Sequence, residues 1–297
     1  MFVNENIEDP VSNLIAELDD LDYVADPSIA TSLHLAQLLD RPLLIEGRPG
    51  VGKTEIASTM ARLLKTQLIR LQCYEGLDVN SALYEWNYSR QLLWIRMNEN
   101  KGLDPAELET EVFGREFLLE RPLLSALTKE KSPVLLIDEV DRADQEFEAF
   151  LLEVLSEFQV TIPELGTIRA ENKPLVILTS NRSRDLSDAL RRRCLYLWID
   201  FPELHKELEI VKKRIDDMPE DLALQICRFV RASREEDLQK VPGVSETLDW
   251  ATAMMALHIK GLEPEVVVST LGALLKNSDD LEKFRISTIE RIIQSIG

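Results

Sequence analysis

Cysteine is scarce in this sequence: Cys73, Cys194 and Cys227 stand far apart, with no CxxC pair and no histidine nearby at zinc-ligand spacing. This excludes a disulfide scaffold and a cysteine-based zinc site, and each thiol is expected to be a small core hydrophobe in a reducing compartment. The three histidines, His34, His205 and His258, fall in separate helical patterns and point to no catalytic or ligating role. No apolar run approaches the roughly 20 residues that span a bilayer. The opening MFVNENIEDP lacks the basic end and apolar middle of a secretory signal, so a cytoplasmic protein is expected. Positive charge is also short: 34 Lys and Arg stand against 53 Asp and Glu, a net charge of −19. Such a balance repels a phosphate backbone and argues against nucleic acid as a partner.

What is present has a clear rhythm. The segment SIATSLHLAQLL (28–39) has helical spacing and stops before Pro42. Short runs rich in Leu, Ile and Val then alternate with longer helical patterns: PLLIEG, QLIRLQCY, VLLIDEV, PLVILTSN and CLYLWIDF. A parallel sheet covered on both faces requires this pattern, so the fold class is α/β. After Pro202 the strands cease, and five successive segments carry apolar residues at helical spacing only. The expected division is an N-terminal extension (1–27), an α/β domain (28–201) and a helical domain (202–297). The acidic run LDPAELETE is expected to be a solvated insertion.

The chemistry concentrates at the ends of the apolar runs. Gly47-Arg48-Pro49-Gly50-Val51-Gly52-Lys53-Thr54 satisfies GxxxxGK[ST] between a strand and a helix. Glycines let the backbone curl so that successive N–H groups face an anion, and the following helix N-terminus adds partial positive charge. A nucleoside triphosphate fits that cradle, with Lys53 reaching the β and γ phosphates and the Thr54 hydroxyl taking a place on Mg²⁺. Further on, VLLIDEV ends in Asp138, placed to hold magnesium through its water shell, and Glu139, placed to orient and polarise the attacking water. PLVILTSN ends in Asn181, an amide suited to holding that water. The run Arg191-Arg192-Arg193 precedes the next strand, and an arginine delivered from a neighbouring subunit neutralises charge on a transferring phosphoryl group, which implies a ring oligomer. The closest approach to a guanine-reading NKxD motif, Asn172-Lys173-Pro174-Leu175, precedes its strand and lacks the acid, so ATP is preferred to GTP.

In this order, GRPGVGKTEIA, LLIDEVDRAD, ILTSNRSRDLSDALRRRC and LYLWIDFP resemble the MoxR branch of the AAA+ ATPases over residues 30–260. The segments EWNYSRQLL, FLLERPLL, FEAFLLEVLSEFQVTIPELGTI and PGVSETLDWA look closest to members encoded beside carbon monoxide dehydrogenase maturation genes. The resemblance implies a P-loop AAA+ parallel sheet sandwiched by helices, followed by an all-helical lid. It implies Walker A at Gly47–Thr54, Walker B at Asp138 and Glu139, sensor 1 at Asn181, and an arginine finger at Arg193 or, alternatively, Arg192. It further implies a hexamer working with a von Willebrand A partner.

Two inserts are expected. One is a hairpin with strands Gln159–Ile162 and Thr167–Arg169; the other runs from Gly76 to Arg96 and carries Tyr84, Trp86, Tyr88 and Trp94. One of them is expected to grip a protein client through aromatic faces such as Trp86 and Tyr88, unless these rings simply pack the insert onto the sheet. The sequence departs from the AAA+ pattern at Val244-Ser245-Glu246-Thr247, where a sensor 2 arginine is common; Arg228, Arg231 and Arg234 are the candidates to replace it. The function expected is an ATP-driven remodeller of a client protein, with metalloenzyme cofactor insertion as the implied setting. The alternative is a nucleotide-dependent assembly switch or scaffold without sustained motor activity.

Overall fold

The computed structural model describes residues 9–98 and 104–296. Residues 1–8 of the expected N-terminal extension and Gly297 of the expected helical domain lie outside them. The chain divides into two compact units. One comprises Pro27–Glu46 and Thr54–Leu197; the other gathers the segment ending at Asp26, the loop Gly47–Lys53 and the region from Trp198 onward.

Among the described residues nine strands form, in chain order β1 (Leu43–Gly47), β2 (Leu68–Gln72), β3 (Tyr84–Trp86), β4 (Leu118–Glu120), β5 (Val134–Asp138), β6 (Gln159–Ile162), β7 (Gly166–Arg169), β8 (Leu175–Ser180) and β9 (Leu195–Ile199). Five of them make one sheet in the order β2-β5-β8-β1-β9. The pairs β2–β5, β5–β8 and β1–β8 are parallel, with Gln72 opposite Asp138, Ile137 opposite Leu178 and Glu46 opposite Ser180. This register brings the carboxyl ends of the strands to one edge, where ligands of open α/β sheets gather. The central strands β1, β5 and β8 are buried along their whole length, as their unbroken Leu, Ile and Val runs require. In contrast, β2 alternates buried Ile69 and Leu71 with exposed Arg70 and Gln72, the pattern of an edge strand.

The expected hairpin forms as β6–β7, with Gly166 joining its second strand, Val160 opposite Ile168 and the Thr161 and Thr167 hydroxyls 3.0 Å apart. The other insert pairs β3 with β4, antiparallel, and adds the helix Tyr88–Asn98. Here the expectation of an aromatic grip is corrected in part. Trp86 is 7% exposed and meets Tyr84 and Phe113 edge to face, while Trp94 packs edge to face on Phe117. Trp86 is core, and Tyr84 and Trp94 are half-buried against that core, because large aromatic rings gain free energy on leaving water. The helix instead turns Tyr88, Leu92, Leu93 and Met97 outward. Of the acidic run, Leu103 lies outside the described residues, and the residues from Pro105 onward lie in the helix Pro105–Val112.

The other unit is helical after Pro202: Leu204–Arg214, Glu220–Arg234, Val244–Ala256, Pro264–Leu274, Ser278–Lys283 and Ile286–Ile296. Its core is built on fully buried Trp250, whose ring lies 5.2 Å from that of Phe229 and whose Nε1 donates to Thr270 Oγ1 at 3.0 Å. The helix Pro10–Asp19 joins this unit through ion pairing of Asp19 with Lys213, and Asp26 pairs with Lys206 at 2.5 Å.

A buried charge pair holds the first three of these helices together. Arg234 donates to both oxygens of Glu207, at 2.7 and 2.6 Å, with side-chain exposures of 8% and 1%, and Thr247 Oγ1 donates to Glu207 at 2.7 Å. Removing one partner of such a pair strands the other charge away from water. Glu207→Ala is therefore expected to destabilise the fold by roughly 3 to 5 kcal/mol, measured as a lowered denaturant midpoint.

Candidate functional site at the strand ends

The loop after β1 belongs to the unit that contains the helical region. Gly50 and Gly52 adopt φ +73° and +88°, left-handed values that side chains other than glycine rarely take. At Gly52 a Cβ would meet nothing within 4 Å, so the loop presents open backbone there. Lys53 is 6% exposed and donates Nζ to the carbonyl oxygens of Gly47 and Arg48, at 2.8 and 2.7 Å. Arg48 pairs with Asp200 at 3.5 Å and lies over the Phe201 ring. Pro49 is exposed and Val51 half-buried.

The position where a sensor 2 arginine is common touches this loop by backbone instead. The Val244 and Ser245 N–H groups donate to the Gly50 carbonyl, at 2.8 and 3.3 Å, and a Cβ on Gly50 would stand 3.0 Å from Gly243 Cα. Of the candidate substitutes, Arg234 is held by Glu207 and stacks over Phe201, and Arg228 donates to the Ile296 carbonyl.

The acidic residues lie in the other unit, whose chain resumes at Thr54 directly after Lys53. Asp138, at the end of fully buried β5, is 3% exposed. Its Oδ1 accepts from Thr179 Oγ1 at 2.5 Å and Thr54 Oγ1 at 3.2 Å, and its Oδ2 accepts from Arg70 Nη2 at 2.6 Å. Glu139 takes the left-handed conformation (φ 53°, ψ 49°). Its N–H donates to Thr179 Oγ1 at 2.9 Å, and its carboxylate accepts from Asn181 Nδ2 and Gln72 Nε2, both at 3.2 Å. Asp138, Glu139, Asn181 and Thr54 are thus brought together.

The arginines separate by role. Arg191 points inward to Glu46 at 3.5 Å, Arg193 donates to Ser156 Oγ at 2.5 Å, and Arg192 is exposed with no side-chain partner among the described residues.

Four neighbours of this site were not singled out from sequence: Arg70, Gln72, Thr179 and Asp141. Gln72 and Thr179 signal only as polar residues near the end of a strand, Arg70 as an outward position of alternating β2, and Asp141 as a third acid just after β5. Asp141 accepts from the Ser183 hydroxyl at 2.7 Å and from the N–H groups of Ser183 and Asn181, at 2.8 and 3.2 Å, and so fixes the turn that carries Asn181. Burial pushes the Asp141 carboxyl up, but these hydrogen bonds outweigh it and hold the group below the usual carboxylate range. Cys73 is pushed up to about 12 by burial first and then by the charges of Asp138, Asp141 and Glu139, which leaves it an inert thiol.

Fold and loop together define a P-loop AAA+ domain. Residues 42–194 match the family model for the AAA domain (dynein-related subfamily), and the chain belongs to that family. It is similar to the Holliday junction branch migration complex subunit RuvB of Thermotoga petrophila, at 26% identity over 201 residues, 64% of this chain and 59% of that protein. It is also similar to the gas vesicle ATPase GvpN of Haloferax mediterranei, at 26% over 204 residues, 66% of this chain and 57% of that one. The ATPase subunit HslU of an ATP-dependent protease from Rickettsia felis matches at 32% over 103 residues, 32% of this chain and 21% of that one. The chain thus spans about 59% of the length of the RuvB relatives it matches. A proline-to-glycine mutant of RuvB from Thermotoga maritima shares the fold, with TM-score 0.50 at 18% identity, over 91% of this chain and 72% of that one. Among the described residues no helix is long and apolar enough to cross a membrane.

Because the folded Asp141 carboxyl is depressed, its contribution is present above the unfolded value and lost as pH falls through the folded one. Asp141→Asn is expected to cost about 1 to 3 kcal/mol at pH 7 and to flatten the loss of stability on acidification. Denaturant melts at pH 7 and pH 3 check this; an unchanged slope with pH would remove Asp141 as its source.

Proposed function

We propose that this chain is the ATP-hydrolysing subunit of a MoxR-type AAA+ ring that remodels a client protein. The observation that carries the reading is the meeting of Thr54 Oγ1 and Asp138 Oδ1 at 3.2 Å, beside a Glu139 carboxylate bonded to Asn181. The open backbone at Gly52 and the buried ammonium of Lys53 fit a triphosphate. We assign Lys53 to the β and γ phosphates, Glu139 to accepting a proton from the attacking water, and Asn181 to orienting that water. The Thr54 hydroxyl and the Asp138 carboxylate would hold magnesium, whose chemistry there would be to neutralise charge on the phosphate oxygens.

The expected order for the arginine offered to the next subunit's nucleotide, Arg193 with Arg192 as the alternative, is reversed in this proposal, because Arg193 is bonded to Ser156 Oγ whereas Arg192 is exposed with no side-chain partner among the described residues. The functional division we assign is an extension over 1–27, a nucleotide-binding domain over 28–201 and a helical lid over 202–297. We assign the outward face of Tyr88, Leu92, Leu93 and Met97 to the client, with a von Willebrand A protein as partner, a hexamer as the assembly and a metalloenzyme receiving its cofactor as the client class. The setting is cytoplasmic. Branch migration belongs to the RuvB relatives by name; a net charge of −19 opposes a phosphate backbone as the client here.

Lys53→Ala is expected to weaken ATP binding at least tenfold. Glu139→Gln should keep affinity within about threefold and cut steady-state hydrolysis by roughly 100-fold or more. Fluorescent-nucleotide titration and phosphate release measure both, and a Glu139→Gln protein that turns over at the normal rate sinks the assignment. Arg192→Ala is expected to lower turnover on the order of 10³-fold while nucleotide still binds, with partial recovery when wild-type subunits are mixed in. Turnover that does not recover on mixing would place Arg192 in its own subunit's site.

A further inference from the structure

We propose that Arg70 is a resident counter-ion of Asp138, which a divalent cation must displace when it arrives. The inference rests on the nucleotide-binding reading above and adds a residue to which nothing else assigns a role. A carboxylate with a side-chain exposure of 5% needs a charge partner, and Arg70 Nη2 supplies one at 2.6 Å from Oδ2. The other oxygen, Oδ1, already accepts from the Thr179 and Thr54 hydroxyls. A cation drawn to Thr54 and Asp138 therefore finds the remaining carboxylate oxygen held by a guanidinium of its own sign.

The arrangement is built for release. Arg70 stands on the exposed side of edge strand β2, and its side chain is 53% exposed, so the freed guanidinium has water to enter. The same Nη2 also donates to Gln72 Oε1 at 2.6 Å, and Gln72 Nε2 in turn donates to Glu139 Oε2 at 3.2 Å. Departure of Arg70 loosens the amide that holds Glu139, which links cation arrival to the freedom of the residue assigned to activate water.

The test is titration of a fluorescent ATP analogue into the full chain, in EDTA and across a Mg²⁺ series, for wild type, R70Q and R70K. Removing the guanidinium has opposite effects in the two conditions, a signature that a merely structural residue does not give. Without Mg²⁺, R70Q leaves Asp138 uncompensated and should weaken nucleotide binding about fivefold; with Mg²⁺, it should lower the half-maximal Mg²⁺ concentration about fivefold. R70K keeps the charge and should stay within about twofold of wild type in both. An R70Q midpoint that rises or does not move, or an R70K protein that shifts as far as R70Q, overturns the inference. A wild-type chain that binds no nucleotide at any Mg²⁺ concentration overturns the functional reading and this inference with it.

Discussion

Asp138 is a carboxylate that the sheet forces out of water. The apolar run Val134–Ile137 makes β5 a central strand, buried along its length, and the acid at its end is carried in with it. Burial of an ionised group is tolerable only when hydrogen bonds and opposite charge surround it. Three elements answer that demand: the start of the helix after the glycine loop gives Thr54, β8 gives Thr179, and β2 gives Arg70. The local geometry of the acidic side follows from satisfying this one group.

The strand ends next to Asp138 carry unusual backbone for the same reason. Glu139 and Arg182 are left-handed residues, at φ 53° and 57°, directly after Asp138 and Asn181. Such a conformation costs a non-glycine residue roughly 1 to 3 kcal/mol and persists where its surroundings over-determine it. At Glu139 the Thr179 hydroxyl does so, accepting its N–H while donating to Asp138. The carboxylate of Glu139 then turns toward Gln72 and Asn181. On the Asn181 side, Asp141 ties the turn down through Ser183.

The glycine loop solves a different problem. Its Gly50 carbonyl is capped by the first N–H groups of the helix Val244–Ala256, which are left without intrahelical partners by their position. Close approach of Gly243 and Gly50 is what makes this possible, and a side chain at either would intrude. The helix thus meets the loop by backbone, with Ser245 and Glu246 standing where a sensor 2 arginine is common.

The sequence by itself determined the α/β class, the strand-loop-helix around Gly47–Thr54, the acids closing β5, the β6–β7 hairpin and the helical region after Pro202. These are features of local order, where strand period, glycine placement and a polar residue ending an apolar run all lie within a few positions of one another. Tertiary structure alone decided the rest. That Arg70, Gln72 and Thr179 serve Asp138 and Glu139 depends on β2 and β8 flanking β5, a pairing of segments about 40 to 65 residues apart that no short window encodes. Likewise, Trp86 turning inward, Arg193 resting on Ser156 and Arg192 lacking a side-chain partner among the described residues depend on which surfaces the packed elements cover, because aromatic and charged side chains read the same in sequence whether they face a core or water.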